Sequence, residues 1–197
     1  MKLYAFLKKM LKGFFVGLFR VEFKGQENIP NDRPLLVCPN HLSNWDPIIL
    51  AAVCDRQIRF MAKSSLFKIP LLNTLLKTLG VFPVHRGEAD PTALKTAIKY
   101  LKDGDAVGVF PQGKRYMHKE PKDTPIKSGV GMIAYRSKAD VLPVSIKTKD
   151  YKILPFRKVY IKAGKVIPFA ELGIENGSQA EYTKATEIVF SRILELL

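Results

Sequence analysis

The chain is short of cysteine, of long apolar runs and, over two whole segments, of acid. Cys38 and Cys54 are its only cysteines. Two are too few for a disulfide scaffold, and they form no Cys-x-x-Cys pair, so neither a structural zinc site nor an oxidising compartment is expected. No low-complexity tract or short repeat interrupts the sequence, and a hydrophobic content of 47% excludes a disordered basic tail. The longest uncharged run near the N-terminus, residues 13–19, falls far below the ~20 apolar residues that span a bilayer. A secretory signal is not expected either, because lysines break the apolar stretch and no small-residue cleavage site follows.

What is present is positive charge. The 197 residues hold 32 Lys and Arg against 18 Asp and Glu, a formal net charge of +14. That length suits one domain with a real core. The charge implies a polyanionic partner: nucleic acid, an anionic membrane surface or phosphorylated small molecules. The excess is blocked. Residues 1–20 carry five basic residues and no acid, and residues 56–86 carry six and no acid. Residues 114–138 carry seven against two acids, and residues 147–165 seven against one.

In the first block Leu3, Phe6, Leu7, Met10, Leu11, Phe14 and Leu18 recur at three- and four-residue steps, one face of a helix. Lys2, Lys9 and Arg20 fall away from that face, and Lys8 and Lys12 lie nearer its borders. The absence of acid favours a helix lying in a membrane interface, lysines on anionic headgroups. An ordinary amphipathic helix packed on the domain is the competing reading, and the two are compatible in part. Residues 1–24 are accordingly expected to be an amphipathic membrane-associating segment ahead of a domain at 25–197.

From Gly25 on, strands alternate with helices. LLVC (35–38), IRFMA (58–62), AVGVF (106–110), VLPVSIK (141–147) and VYIKAGKVI (159–167) read as strands, with a short extended piece at 81–84. Asp46-Pro47 and Asp90-Pro91 each supply an N-cap and a first helical residue; residues 71–80, 128–138 and 178–197 also read as helical. The pattern implies a single α/β domain with a central, largely parallel mixed sheet flanked by helices. In such sheets the site forms where loops leave the carboxyl ends of the strands.

Two of those loops carry chemistry. PNHLSNWDP (39–47) holds His41 and Asp46 five positions apart. A carboxylate on one imidazole nitrogen fixes the tautomer and raises the basicity of the other, as a general base acting on an alcohol requires. The competing reading makes Asp46 only an N-cap and His41 a loop residue with a local hydrogen bond, and on spacing alone that reading prevails, since His and Asp at this distance often occur by chance. FPQGKRYMHK (110–119) sets Gly113 before Lys114 and Arg115, so that backbone and two cations approach an anion together. GVFPVHRG (80–87) brings Arg86 and AKSSLFKIP (62–70) brings Lys63, each beyond an extended segment.

Taken in order, these blocks resemble the glycerolipid acyltransferase family, of which the 1-acylglycerol-3-phosphate acyltransferases are the best-known class. The Asn-His-x-x-x-x-Asp block is met by Asn40, His41 and Asp46. The Lys-x-Glu-Leu-Phe-x-x-Pro block is met by Lys63, Leu66, Phe67 and Pro70, with Ser65 for the Glu. Gly80 and Arg86 meet the Gly-x-x-x-x-x-Arg block; Phe110, Pro111, Gly113 and Arg115 meet Phe-Pro-Glu-Gly-Thr-Arg; Pro143-Val144 resembles the late Pro-Val block. The likeness runs from about residue 25 to about residue 170. It implies transfer of a fatty acyl group from acyl-CoA or acyl carrier protein to the free hydroxyl of lysophosphatidate, giving phosphatidate, with neither a metal nor a cofactor. His41 would take the hydroxyl proton, Asp46 would orient it, and the alkoxide would attack the thioester directly. Arg115, with Arg86, Lys63, Lys114 and Gly113, would bind the acceptor phosphate; Asn40, Pro111 and Gln112 would belong to the acceptor loop. An apolar acyl channel is implied too, and residues 66–79 are candidates for it or for ordinary core. The location implied is the cytoplasmic face of a membrane.

The sequence departs from the pattern at Gln112 for the usual Glu, Lys114 for Thr and Tyr116 for Ser. Gln keeps an acceptor oxygen and loses the charge. The acceptor could then be another lysophospholipid or glycerol 3-phosphate. Outside acyl transfer, the alternatives are a noncatalytic basic membrane-surface protein and a nucleic-acid binder. The last is not expected, since the basic blocks are split among short loops and no nucleic-acid motif appears.

Overall fold

The computed structural model describes residues 2–85 and 90–197, with side chains from residue 8 onward. Arg86 therefore lies outside the described residues, as do the side chains of Leu3, Phe6 and Leu7. The helices are α1 (Lys2–Phe19), α2 (Asp46–Val53), α3 (Pro70–Thr78), α4 (Pro91–Lys102), α5 (Gly129–Ser137) and α6 (Gln179–Glu195). The strands are β1 (Val21–Lys24), β2 (Leu35–Pro39), β3 (Ile58–Lys63), β4 (Phe82–Val84), β5 (Ala106–Gly108), β6 (Asp140–Thr148) and β7 (Val159–Ala163).

They form one seven-stranded sheet in the order β1-β7-β6-β2-β5-β3-β4. From β6 to β4 neighbouring strands run parallel; β7 is antiparallel to β6, and β1 runs with β7. The sheet is thus mixed and mostly parallel, as the alternation of elements implies. Five strands deliver their carboxyl ends to one edge.

Apolar residues on both faces of the central strands bury the sheet between two helical layers. Leu35 and Val37 of β2 pack with Phe15 and Phe19 of α1 and with Ile49 and Leu50 of α2. The alternate residues, Leu36 and Cys38, pack with Ala97 and Leu101 of α4, Ile133 of α5 and Val189 and Ile193 of α6. On α1 the inward residues are Leu11, Phe15, Leu18 and Phe19, whereas Met10 and Phe14 are exposed. The apolar face read from sequence is therefore divided between core and solvent. β1, inside segment 1–24, is the sheet's edge strand beside β7. Among the described residues no helix is long and apolar enough to cross a membrane.

Three expectations need correction. The helix after residue 45 begins at Asp46, with Trp45 as its N-cap and no side-chain cap bond; the Asp46 carboxylate turns back into the loop instead. The strand expected at 106–110 ends at Gly108, although Val109 N–H still donates to Val37 O at 2.9 Å. The strand expected at 159–167 ends at Ala163: Gly164 N–H leaves for Pro143 O, and Ile167 rejoins through a separate bridge to Val141.

Candidate active site

The loop from β2 to α2 is anchored at both ends. Asn40 is fully buried; its Nδ2 donates to Ile146 O at 2.9 Å and its Oδ1 accepts from Ile146 N–H at 2.7 Å. A side-chain amide thus completes the β2–β6 pairing where β2 runs out. His41 follows with its backbone fixed: its N–H donates to Gln112 Oε1 at 2.6 Å, and its carbonyl accepts from Tyr116 N–H at 3.0 Å.

The imidazole is fixed as closely. Nδ1 lies 2.7 Å from Asp46 Oδ2, and one ring face stacks on Phe110 with centroids 3.7 Å apart and planes within 16°. Phe110 is backed by Phe60 at 6.0 Å, and Phe60 occupies the space over Gly108, where a Cβ would stand 2.1 Å from its ring. Asp46 Oδ2 also accepts from Leu42 N–H at 2.7 Å and Ser43 N–H at 2.8 Å. Oδ2 is thus the common focus of two backbone N–H groups and the imidazole, a geometry suited to a carboxylate that receives Nδ1–H and leaves Nε2 facing away. Burial pushes the Asp46 carboxyl up from its ordinary range, while the His41 bond and charge and the two backbone bonds pull it back. Nε2 has no hydrogen-bond partner among the described residues, and the His41 ring keeps slight exposure. Chemically this is an imidazole held at Nδ1, with Nε2 open among the described residues.

The cations expected around a phosphate lie on the same sheet edge. Lys63 ends β3, in register with Val84 of β4, and is exposed. Lys114 and Arg115 are exposed on the loop after β5, with Lys114 Nζ 5.1 Å from the Tyr116 ring centroid. None of the three has an ion-pair partner among the described residues. Gly113 makes the turn into this pair: its φ is +68° and its N–H donates to Phe110 O at 3.0 Å. Arg86, the fourth cation, lies outside the described residues.

Asn40, Pro111 and Gln112, expected in the acceptor loop, are buried, and their polar groups are engaged inside the protein. Pro111 O accepts from Lys127 N–H at 2.8 Å, and Gln112 Nε2 donates to Thr124 Oγ1 at 2.7 Å. Sequence reasoning had no access to Thr124, Ile146 or Phe60, which act from distant positions and carry no motif. Phe110 was visible only as a motif member, not as the surface on which the imidazole rests.

Residues 20–147 match the Acyltransferase family. The chain is 34% identical over 145 residues to the 1-acyl-sn-glycerol-3-phosphate acyltransferase of Bacillus subtilis (strain 168), covering 73% of this chain and 70% of that protein. It is 30% identical over 182 residues to the enzyme of the same name from Borreliella burgdorferi, covering 88% and 70%. The crystal structure of the 1-acyl-sn-glycerophosphate (LPA) acyltransferase PlsC from Thermotoga maritima superposes with a TM-score of 0.72 at 29% identity, over 100% of this chain and 82% of that one. With the family match spanning most of the sheet and both motif loops, the chain belongs to the acyltransferase family and is an O-acyltransferase.

Proposed function

We propose that the chain moves a fatty acyl group from acyl-CoA or acyl carrier protein to the free sn-2 hydroxyl of 1-acylglycerol 3-phosphate, giving phosphatidate for phospholipid biosynthesis. One observation carries the reading: an imidazole held by a buried carboxylate at 2.7 Å keeps Nε2 open on the sheet edge that also presents Lys63, Lys114 and Arg115.

In the proposed reaction Nε2 of His41 takes the proton of the acceptor hydroxyl as its oxygen attacks the thioester carbonyl. Asp46 stabilises the imidazolium that forms and keeps Nε2 aimed. The tetrahedral intermediate collapses with cleavage of the carbon–sulfur bond, and the leaving thiolate takes the proton from Nε2. No acyl-enzyme is needed. Arg115 grips the acceptor phosphate through two N–H groups, Lys63, Lys114 and Arg86 add charge, and Gly113 lets backbone approach. The lipid acceptor reaches this site from a membrane surface engaged by the N-terminal helix, on the cytoplasmic side from which a water-soluble donor arrives.

The test is acyl transfer with purified protein, donor and acceptor supplied singly from a panel, and product identified by mass. His41→Ala is expected to lower kcat by about 10²–10⁴, the usual contribution of a positioned base. Turnover close to the parent's would refute the assignment. Arg115→Ala is expected to raise acceptor KM at least tenfold with donor KM nearly unchanged. An unaltered acceptor KM would remove Arg115 from the phosphate site. Preference for glycerol 3-phosphate or another lysophospholipid in the panel would replace lysophosphatidate as the acceptor.

A further inference from the structure

The loop that carries His41 ends on Trp45, the sole tryptophan of the chain. Trp45 holds the N-cap position of α2 with helical backbone angles, φ −76° and ψ −21°, and makes no side-chain cap bond. An indole has no acceptor with which to satisfy the first N–H groups of a helix, so capping does not account for the residue. Its contacts do. The ring centroid lies 5.9 Å from Phe15 and 5.7 Å from Phe19 of α1, tilted 53° and 48° to them. Those two rings are parallel to within 5° and belong to the buried core between α1, α2 and the sheet.

The next residue is Asp46, and the turn joins the two tightly. Trp45 N–H donates to Ser43 Oγ at 3.3 Å, Asp46 N–H donates to Ser43 O at 3.3 Å, and Trp45 O accepts from Ile49 N–H at 2.8 Å. An indole seated against two core rings therefore fixes the peptide from which the Asp46 side chain departs. The carboxylate needs that support. Among the described residues its Oδ2 takes every bond while the buried Oδ1 takes none, so the plane of the group is held from one oxygen only.

We propose that Trp45 is a positioning residue that couples the seat of α1 to the geometry of the His41–Asp46 pair. The seat is open to the outside. Trp45 is 41% exposed, and the Phe14 ring, 59% exposed, lies 5.2 Å from Phe15. A lipid surface that grips α1 thus acts on the same rings that hold the indole. The kinetic form of the proposal rests on His41 and Asp46 being the reacting pair; the coupling itself does not.

The experiment is a double-mutant cycle on the full chain with Phe15→Leu and Trp45→Ala, read by kinetics and by NMR of the histidine rings. Phe15→Leu is expected to lower kcat about fivefold in the parent, with acceptor KM within about twofold, and to change kcat less than about twofold in the Trp45→Ala background. The His41 ring signal should move with Phe15→Leu only when Trp45 is present, while His85 and His118 stay in place as internal references. Equal effects in both backgrounds, or an unmoved His41 signal, would overturn the coupling. Should Phe15→Leu fail to fold, Trp45→Phe against Trp45→Ala carries the test: the retained ring must restore most of kcat and the parent His41 signal. Acyl transfer surviving His41→Ala would sink the reading of the pair and leave the NMR cycle valid.

Discussion

The amide of Gln112 receives the His41 N–H on Oε1 and donates from Nε2 to the Thr124 hydroxyl, which donates in turn to Pro121 O at 2.6 Å. A carboxylate here could accept the first bond, but it has no proton for the second. Thr124 would have to turn its hydroxyl toward the new oxygen and abandon Pro121, and the charge would be almost wholly buried. Gln112→Glu is therefore expected to lose about 1–3 kcal/mol of stability, the usual cost of unsatisfied buried polar groups. Denaturant titration checks this: the midpoint falls at neutral pH and recovers as the carboxyl is protonated in acid. An unchanged midpoint would mean that the amide donor is dispensable. The departure at Gln112 was plain in the sequence, as was the His41–Asp46 spacing. The reason an amide suits position 112 was not, because its partner Thr124 carries no signal of its own.

Asp46-Pro47 and Asp90-Pro91 look alike in sequence and differ as elements. At Asp90, Oδ1 accepts from the helix N–H groups of Thr92 and Ala93, as the pattern implies. At Asp46 the carboxylate faces backward to His41, Leu42 and Ser43. Which way the side chain turns depends on how the preceding loop wraps, and on β2 and β6 gripping Asn40. The helix and strand centres needed no such information, since periodicity and proline placement decide them locally. The break after Ala163 was hidden for the opposite reason: the apolar pattern continues to Ile167, while the Pro143 carbonyl draws Gly164 aside. The start of α6 supplies an element-level prediction. Ser178 and Glu181 form a reciprocal capping box, and N–H groups of Ser178, Asn176 and Glu175 hold the Glu181 carboxyl at about 2. A carboxyl lowered by folding contributes stability above its unfolded value, here 4.5, and loses it as pH falls toward the folded value. Thermal melts of Glu181→Gln should lie below the parent at pH 7, and the gap should close between about pH 4.5 and 2. A gap independent of pH would place the effect outside the carboxylate.

At the scale of the whole molecule part of the basic stretch at 147–165 lies on the face of the sheet away from α1. Val159, Ile161 and Ala163 of β7 pack on the side of α1, so Tyr160 and Lys162 point to the other side of the sheet. There they line a groove with Lys24, Lys147, Leu196 and Leu197. Lys147, Lys149 and Lys162 of the basic stretch at 147–165 are thus turned away from the surface offered by α1, whereas its loop returns to that helix, where Phe156 N–H donates to Leu18 O at 2.6 Å. The outward residues of α1 are the ones to test. Removing residues 1–20 would be a poor test, because Phe15 and Phe19 are core side chains whose burial contributes about 1.5–3 kcal/mol each. Lost binding would then be confounded with unfolding. Met10 and Phe14 are 53% and 59% exposed, so replacing both with serine leaves the buried Phe15 and Phe19 in place and removes, besides outer surface, only the edge contact of Phe14 with Phe15. Exposed positions of this kind shift stability by about 0.5 kcal/mol or less each, so the pair is expected to cost about 1 kcal/mol at most, or roughly 2–4 °C in Tm for a chain of this size. With Tm within that range, Met10→Ser/Phe14→Ser should sediment with anionic vesicles several-fold less than the parent. Lys147→Gln/Lys162→Gln, on the opposite side, should sediment as the parent does. If the serine pair binds undiminished, α1 is a helix of the core and the lipid surface meets the protein elsewhere; if the lysine pair alone abolishes binding, that surface is the β6–β7–β1 face.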